Sequence, residues 1–160
     1  MCLGRVQTFN PQDDSSPVSV FVFDASQGNK RSQLPLAKNA LRKLRTIRHP
    51  DVLKFVDVVE TETTIHIVTE RVQPLEKALH TSPQGKADWI VWGLHRVATA
   101  LAFVNESVAS THGNIRTESI FVATSGEWRL GGFELLSNAK DEASVLYVRV
   151  LGPILVCLAD

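Results

Sequence analysis

Two hydrophobic periodicities share this chain, and where each one holds decides the elements. Val18-Ser19-Val20-Phe21-Val22-Phe23 is β-branched and aromatic, ends at Asp24 and the turn-prone Ser26-Gln27-Gly28-Asn29, and predicts a strand largely buried on both faces. From Leu36 to Ile47 the period lengthens. Leu36, Ala37, Ala40, Leu41, Leu44 and Ile47 recur three and four apart, while Lys38, Arg42, Lys43 and Arg45 fall mostly on other faces. That is an amphipathic helix, stopped by His49-Pro50. Val52 to Val59 and Thr63 to Thr69 return to strand character around Glu60-Thr61-Glu62, and so short a connection favours an antiparallel hairpin. Upstream, residues 5–17 combine a short strand with a polar Asn-, Asp-, Ser- and Pro-bearing segment.

Beyond Arg71-Val72-Gln73-Pro74 helical spacing dominates. Leu75 to Leu79 reads as a short helical piece and Ser82-Pro83-Gln84-Gly85 as a turn. A long helix from about Ala87 to Asn105 then carries Ile90, Leu94, Val97, Ala98, Leu101 and Val104 on one face. Two short strands, Ser119 to Val122 and Trp128 to Leu130, flank the turn Thr124-Ser125-Gly126-Glu127. A sheet-rich half followed by a helix-rich half predicts an α+β fold of two lobes, divided near residues 71–75.

Composition narrows the function classes. With 160 residues and 44% hydrophobic content the chain can bury a core, which argues against disorder. Seventeen basic and seventeen acidic side chains cancel, removing the electrostatic case for wholesale nucleic-acid or membrane binding. Cys2 and Cys157 form neither a disulfide framework nor a metal-ligand spacing, and no signal-peptide pattern opens the chain, so a cytosolic, reducing location is expected. His66, His80 and His95 have no ligand partners at metal spacing, and no metal site is expected. Arg42, Lys43, Arg45 and Arg48 read as a solvated helix face, and Trp89 and Trp92 as packing residues. Residues 145–159 are apolar, but Arg149 and Gly152-Pro153 interrupt them and they are short for a bilayer, so no transmembrane segment is expected.

The stretch H-G-N-I-R-T-E-S-I-F-V, residues 112–122, resembles the H-R-D-L-x-x-x-N catalytic loop of protein kinases. The helix ending in R-H-P-D-V-L looks like the kinase helix that precedes the fourth strand. Phe21 and Ala40 lie nineteen residues apart and Asn114 and Gly132 eighteen apart, close to the family's Lys-to-Glu and loop-Asp-to-D-F-G separations. Within the family, V-S-V-F-V-F, R-H-P-D-V-L-K-F-V-D, I-V-T-E-R-V-Q-P-L and E-W-R-L-G-G-F resemble the N-terminal-kinase-like, or Scy-like, pseudokinases. The resemblance covers roughly residues 15–136. It implies a two-lobed protein kinase-like fold: a partial N-lobe over residues 1–72, lacking the first strand and Gly-rich loop, the start of a C-lobe over 73–136, and a divergent tail over 137–160. Only 27 residues follow Phe133, so the C-lobe is expected to be truncated. The function implied is a catalytically inactive scaffold in Golgi-to-endoplasmic-reticulum vesicle traffic or transfer-RNA export. Vesicle-coat or tRNA-export proteins would be its partners, DNA would not, and its location would be cytoplasmic with Golgi association.

The same resemblance assigns the site positions. Phosphoryl transfer needs a Lys on the phosphates, a Glu holding that Lys, an Asp near the acceptor hydroxyl, and an Asp and an Asn on Mg²⁺. The V-A-I-K lysine falls at Phe21, its helix partner at Ala40, the loop Asp at Asn114, the loop Asn at Ser119 and the D-F-G Asp at Gly132. Arg116 keeps one cation near the loop, Phe133 keeps the D-F-G phenylalanine, and Glu134 is expected to be an exposed carboxylate. Glu70, Arg71 and Val72 form a hinge-like stretch whose backbone an adenine-like ligand could meet. Before Val18 there is a single glycine, Gly4, so no phosphate-cradling loop is visible. No cofactor is therefore expected. An atypical kinase with residual ATP binding is the alternative.

Overall fold

The computed structural model describes residues 4–9, 17–26, 28–81 and 86–138. The expected turn at 82–85, the polar segment at 10–16, both cysteines and the apolar stretch 145–159 lie outside the described residues. The fold is α+β. A four-stranded antiparallel sheet has the order β1-β2-β4-β3, from Gly4–Phe9 (β1), Val18–Asp24 (β2), Phe55–Glu60 (β3) and Thr64–Glu70 (β4). β2 is central, as its apolar faces require, and Phe21 stands opposite Ile67 in register. β4 alternates, with Ile65, Ile67 and Thr69 buried. β3 forms one edge and leaves Val56 and Val59 about half exposed.

Helix α1, Leu34–Thr46, opens with proline in its first turn and buries Ala37, Ala40, Leu41 and Leu44. Proline is favoured there because the first N–H groups of a helix lack intrahelical partners. Ile47 leaves the helix in an extended conformation, ahead of Pro50. Of the basic run, Arg42, Arg45 and Arg48 are exposed and Lys43 is half-buried.

The hairpin of β3 and β4 is antiparallel as expected, but its first strand begins at Phe55 rather than Val52. The backbone before it is engaged elsewhere: Leu53 N–H donates to Leu130 O at 2.9 Å, and Leu130 N–H to Asp51 O at 2.8 Å. Arg96 Nε holds the Asp51 carboxylate at 2.6 Å beneath this junction.

Between Glu70 and Val72 the chain passes into a second antiparallel sheet, Val72–Pro74 (β5), Ile120–Ala123 (β7) and Trp128–Leu130 (β8), with order β5-β7-β8. Helices α2, Leu75–Thr81, and α3, Lys86–Glu106, follow β5. A pair of short strands, Ser110–Thr111 (β6) and Ser137–Asn138 (β9), closes the far side. The buried residues of α3 are Ile90, Gly93, Val97, Ala100 and Val104, whereas Ala98, expected inside, is exposed. Gly93 lies on the inward face because Trp128 presses against the helix there. A Cβ on Gly93 would lie 2.1 Å from Trp128 Cε2. Trp89 meets the fully buried Trp128 edge-on at 5.2 Å and donates Nε1–H to Gly126 O at 2.9 Å. Trp92, expected to pack, is 42% exposed beneath the Arg96 guanidinium.

Candidate functional site

A cleft of about 290 Å³ opens where β2, β4 and α1 face the segments 114–121 and 131–134. Its apolar lining includes Phe21, Ile67, Ala40, Leu44, Leu53 and Phe121, and its polar lining Glu76, Asn114, Arg116, Thr117, Glu118 and the buried Glu134. Phe21, Ala40, Asn114, Ser119 and Gly132, assigned from widely separated motifs, all line it. Phe21 is buried and packs edge-to-face on Phe121, with centroids 5.2 Å apart and planes at 80°. Such a contact contributes about 1 kcal/mol beyond the area it buries. Ala40 comes from the buried stripe of α1.

The loop below is fixed by His112. Its Nδ1 accepts the Asn114 N–H at 3.2 Å, so Nε2 carries the proton and donates it to Gly131 O at 2.8 Å. Burial lowers the imidazole pKa from 6.5 to about 4 against the opposing pull of the Gly131 carbonyl, so the ring is neutral near pH 7. It also packs on Phe133, with centroids 5.1 Å apart. Asn114 turns its amide inward, donating to Gly132 O at 3.2 Å and to Glu134 Oε2 at 3.0 Å. The Ser119 hydroxyl is occupied by backbone: it accepts from Arg116 N–H at 3.0 Å and donates to Arg116 O at 2.7 Å.

Gly132 has φ +74°, and a Cβ there would lie 2.5 Å from Ser119 Cβ. Only glycine fits without displacing the loop. This left-handed residue starts the 3₁₀ turn Phe133–Leu135 and swings Glu134 back into the cleft. Glu134 is therefore 5% exposed, not the exposed carboxylate expected from the sequence.

Glu70, Arg71 and Val72 do not line the cleft; Pro74 and Glu76 do. The Glu70 carboxylate accepts Lys54 N–H at 2.9 Å and pairs with Arg129 Nε at 3.2 Å, tying the first sheet to β8. Val72 is held by a side chain that sequence reasoning passed over. The Ser19 hydroxyl, 1% exposed as a residue, accepts Val72 N–H at 3.0 Å and donates to Val72 O at 3.2 Å. A second overlooked side chain is Asn39, whose Nδ2 donates to Glu134 O and Leu136 O, both at 3.1 Å, and lies 3.5 Å from Phe133 O. Both gave a signal: a hydroxyl in an otherwise apolar strand and an asparagine, a poor helix former, inside a helix.

This constellation has known relatives. A family model described as protein tyrosine and serine/threonine kinase matches residues 2–152. The chain belongs to the protein kinase family. It is 42% identical over 130 residues to the Dictyostelium discoideum protein named probable inactive serine/threonine-protein kinase scy1, covering 81% of this chain and 15% of that one. The mouse protein-associating with the carboxyl-terminal domain of ezrin is 37% identical over 121 residues, 76% of this chain and 15% of the relative. Human SCY1-like protein 2 is 30% identical over 146 residues, 78% of this chain and 16% of the relative. This kinase domain is thus similar to SCY1-like pseudokinases and spans about 15% of the length of the relatives it matches first. No helix among the described residues is long and apolar enough to cross a membrane.

Proposed function

We propose that this chain is a catalytically silent kinase-like module that serves as a scaffold for protein partners, with residues 1–72 as a partial N-lobe and 73–136 as the start of a C-lobe. The observation that carries the reading is the Phe21–Phe121 contact in the cleft, at 5.2 Å, where the resemblance puts the phosphate lysine. An aromatic pair there offers no charge to a triphosphate, and Ala40 across the cleft offers no partner for one. Among the described lining residues Arg116 is outnumbered by the carboxylates Glu76, Glu118 and Glu134, a balance unfavourable to a polyanion. Metal-bound phosphoryl transfer needs several separate charges at once, and their joint replacement removes the electrostatic stabilisation of its transition state. The Ser19 hydroxyl also occupies the Val72 backbone groups that an adenine edge would use.

The names of relatives support protein partners as the output. The mouse relative is named for association with ezrin, and the Saccharomyces cerevisiae relative, 30% identical over 129 residues, is named cytoplasmic export protein 1. We extend these to a cytoplasmic role, with Golgi association, in vesicle traffic or transfer-RNA export. Thermal unfolding with ATP and Mg²⁺ tests the silent cleft. No saturable shift is expected up to about 1 mM, because a ligand stabilises only a state it binds. A Mg²⁺-dependent saturable shift, or phosphate transfer to a generic acceptor, would revive the atypical kinase.

A further inference from the structure

The cleft is not filled by the aromatic side chains that enter it. About 290 Å³ remains, close to the smallest volumes typical of small-molecule sites. Its interior is apolar, with Phe21, Leu44, Leu53, Ile67 and Phe121 on the walls. One carboxylate stands inside this apolar enclosure. Glu134 is 5% exposed, and its Oε2 takes a hydrogen bond from Asn114 Nδ2 at 3.0 Å. The Asn114 amide engages one carboxylate oxygen with a neutral donor, and an ammonium would add the stronger bond of a charged one. Glu76 and Glu118 at the rim bias the approach in the same direction.

We infer that the cleft is a binding site for a small amphipathic cation, an organic amine whose aromatic or aliphatic body lies against Phe21 and Phe121 and whose ammonium meets Glu134. The inference rests on the reading that no nucleotide occupies the cleft. It adds a ligand class of opposite charge. The rings of Phe21 and Phe121, which meet edge to face, give an aromatic or aliphatic body an apolar wall, and the turn that follows Gly132 brings Glu134 to the same cleft.

Three probes of nearly equal size separate charge from hydrophobicity: 2-phenylethylammonium, 2-phenylethanol and phenylacetate, titrated by ligand-observed NMR and by thermal shift. The cation is expected to bind about tenfold more tightly than the alcohol, the difference between an ammonium and a neutral hydroxyl donating to the same carboxylate, and phenylacetate not at all. Glu134→Gln is expected to abolish the preference for the amine over the alcohol. Ala40→Leu, which fills the cleft, is expected to weaken amine and alcohol alike, with circular dichroism reporting whether it folds. Equal binding of the three probes, an unchanged amine preference in Glu134→Gln, or no binding at about 10 mM, weaker than even a fragment-sized ligand should need, would overturn the inference. ATP and Mg²⁺ form a separate arm: their binding would sink the silent-module reading, and the amine series alone decides this one.

Discussion

Acidification below pH 6.5 should weaken this domain through His112. The ring is 2% exposed and donates to Gly131 O, and burial holds its pKa at about 4 instead of 6.5. Above pH 6.5 both folded and unfolded chains carry it neutral, and its contribution to stability is complete. As pH falls through 6.5 the unfolded chain takes up a proton that the folded chain refuses, so unfolding becomes easier. The loss continues until pH about 4, where the folded ring protonates as well. A gap of about 2.5 units (6.5 less about 4) corresponds to about 3 kcal/mol at about 1.4 kcal/mol per unit. That is a large share of the roughly 5–15 kcal/mol that stabilises a typical domain. Urea unfolding at pH 7, 6.5 and 5 measures it. The natural chain should lose about 2 kcal/mol between pH 6.5 and 5, while His112→Gln, less stable at pH 7 but without the titrating ring, should show a much flatter profile. A natural chain whose stability is level over that window, or a variant with the same slope, would refute the account of a neutral, buried imidazole.

Two further perturbations probe how the cleft is held. Asn39→Ala removes the donor to Glu134 O and Leu136 O and should cost about 1–3 kcal/mol, with faster hydrogen exchange concentrated at residues 133–136; exchange that rises uniformly would contradict a local tie. Gly132→Asp restores the carboxylate of D-F-G in name only. Its Cβ would fall 2.5 Å from Ser119 Cβ at φ +74°, so a loss of at least about 2 kcal/mol and no gain in Mg²⁺ binding are expected, to be checked by urea unfolding and by metal titration.

How far the sequence spoke depends on which force set each feature. α1 and β4 were legible because burial imposes its own period on a helix or a strand, and that period is written in Ala37, Ala40, Leu41 and Leu44, and in Ile65 and Ile67. The face of α3 was misjudged at its small residues: Ala98 is exposed, and Gly93 and Ala100 are buried. Hydrophobicity favours Ala98 over Gly93, but contact with the Trp128 indole selects the residue without a Cβ, and nothing local to the helix records that partner. The start of β3 was misplaced for a similar reason, since the backbone of residues 51–53 bonds to Leu130, nearly eighty residues away. The assigned cleft positions could be listed from motif spacing. Their convergence, and the burial of Glu134, depend on a left-handed glycine whose φ no composition reveals.

Asn39 and Ala40, neighbours on α1, divide two tasks between them. In the resemblance, residue 40 is where a helix carboxylate would reach across to a strand lysine, and the two chains of contact, catalytic and structural, would run through that one bond. Here Ala40 only packs, while its neighbour, turned about 100° around the helix, reaches the main-chain carbonyls of residues 134 and 136. Carbonyls are present whatever side chains follow Gly132, so this tie survives any change in the reacting groups. The Ser19 hydroxyl does the same for β5 by bonding the backbone of Val72. Neutral side chains bonded to backbone thus hold α1 and β5 in place at little desolvation cost, whereas a Lys–Glu pair would have to be kept hydrated or matched in a cleft now walled by Phe21 and Phe121. Ties of this kind need no charge in the cleft and are compatible with its apolar lining of Phe21, Leu44, Leu53, Ile67 and Phe121.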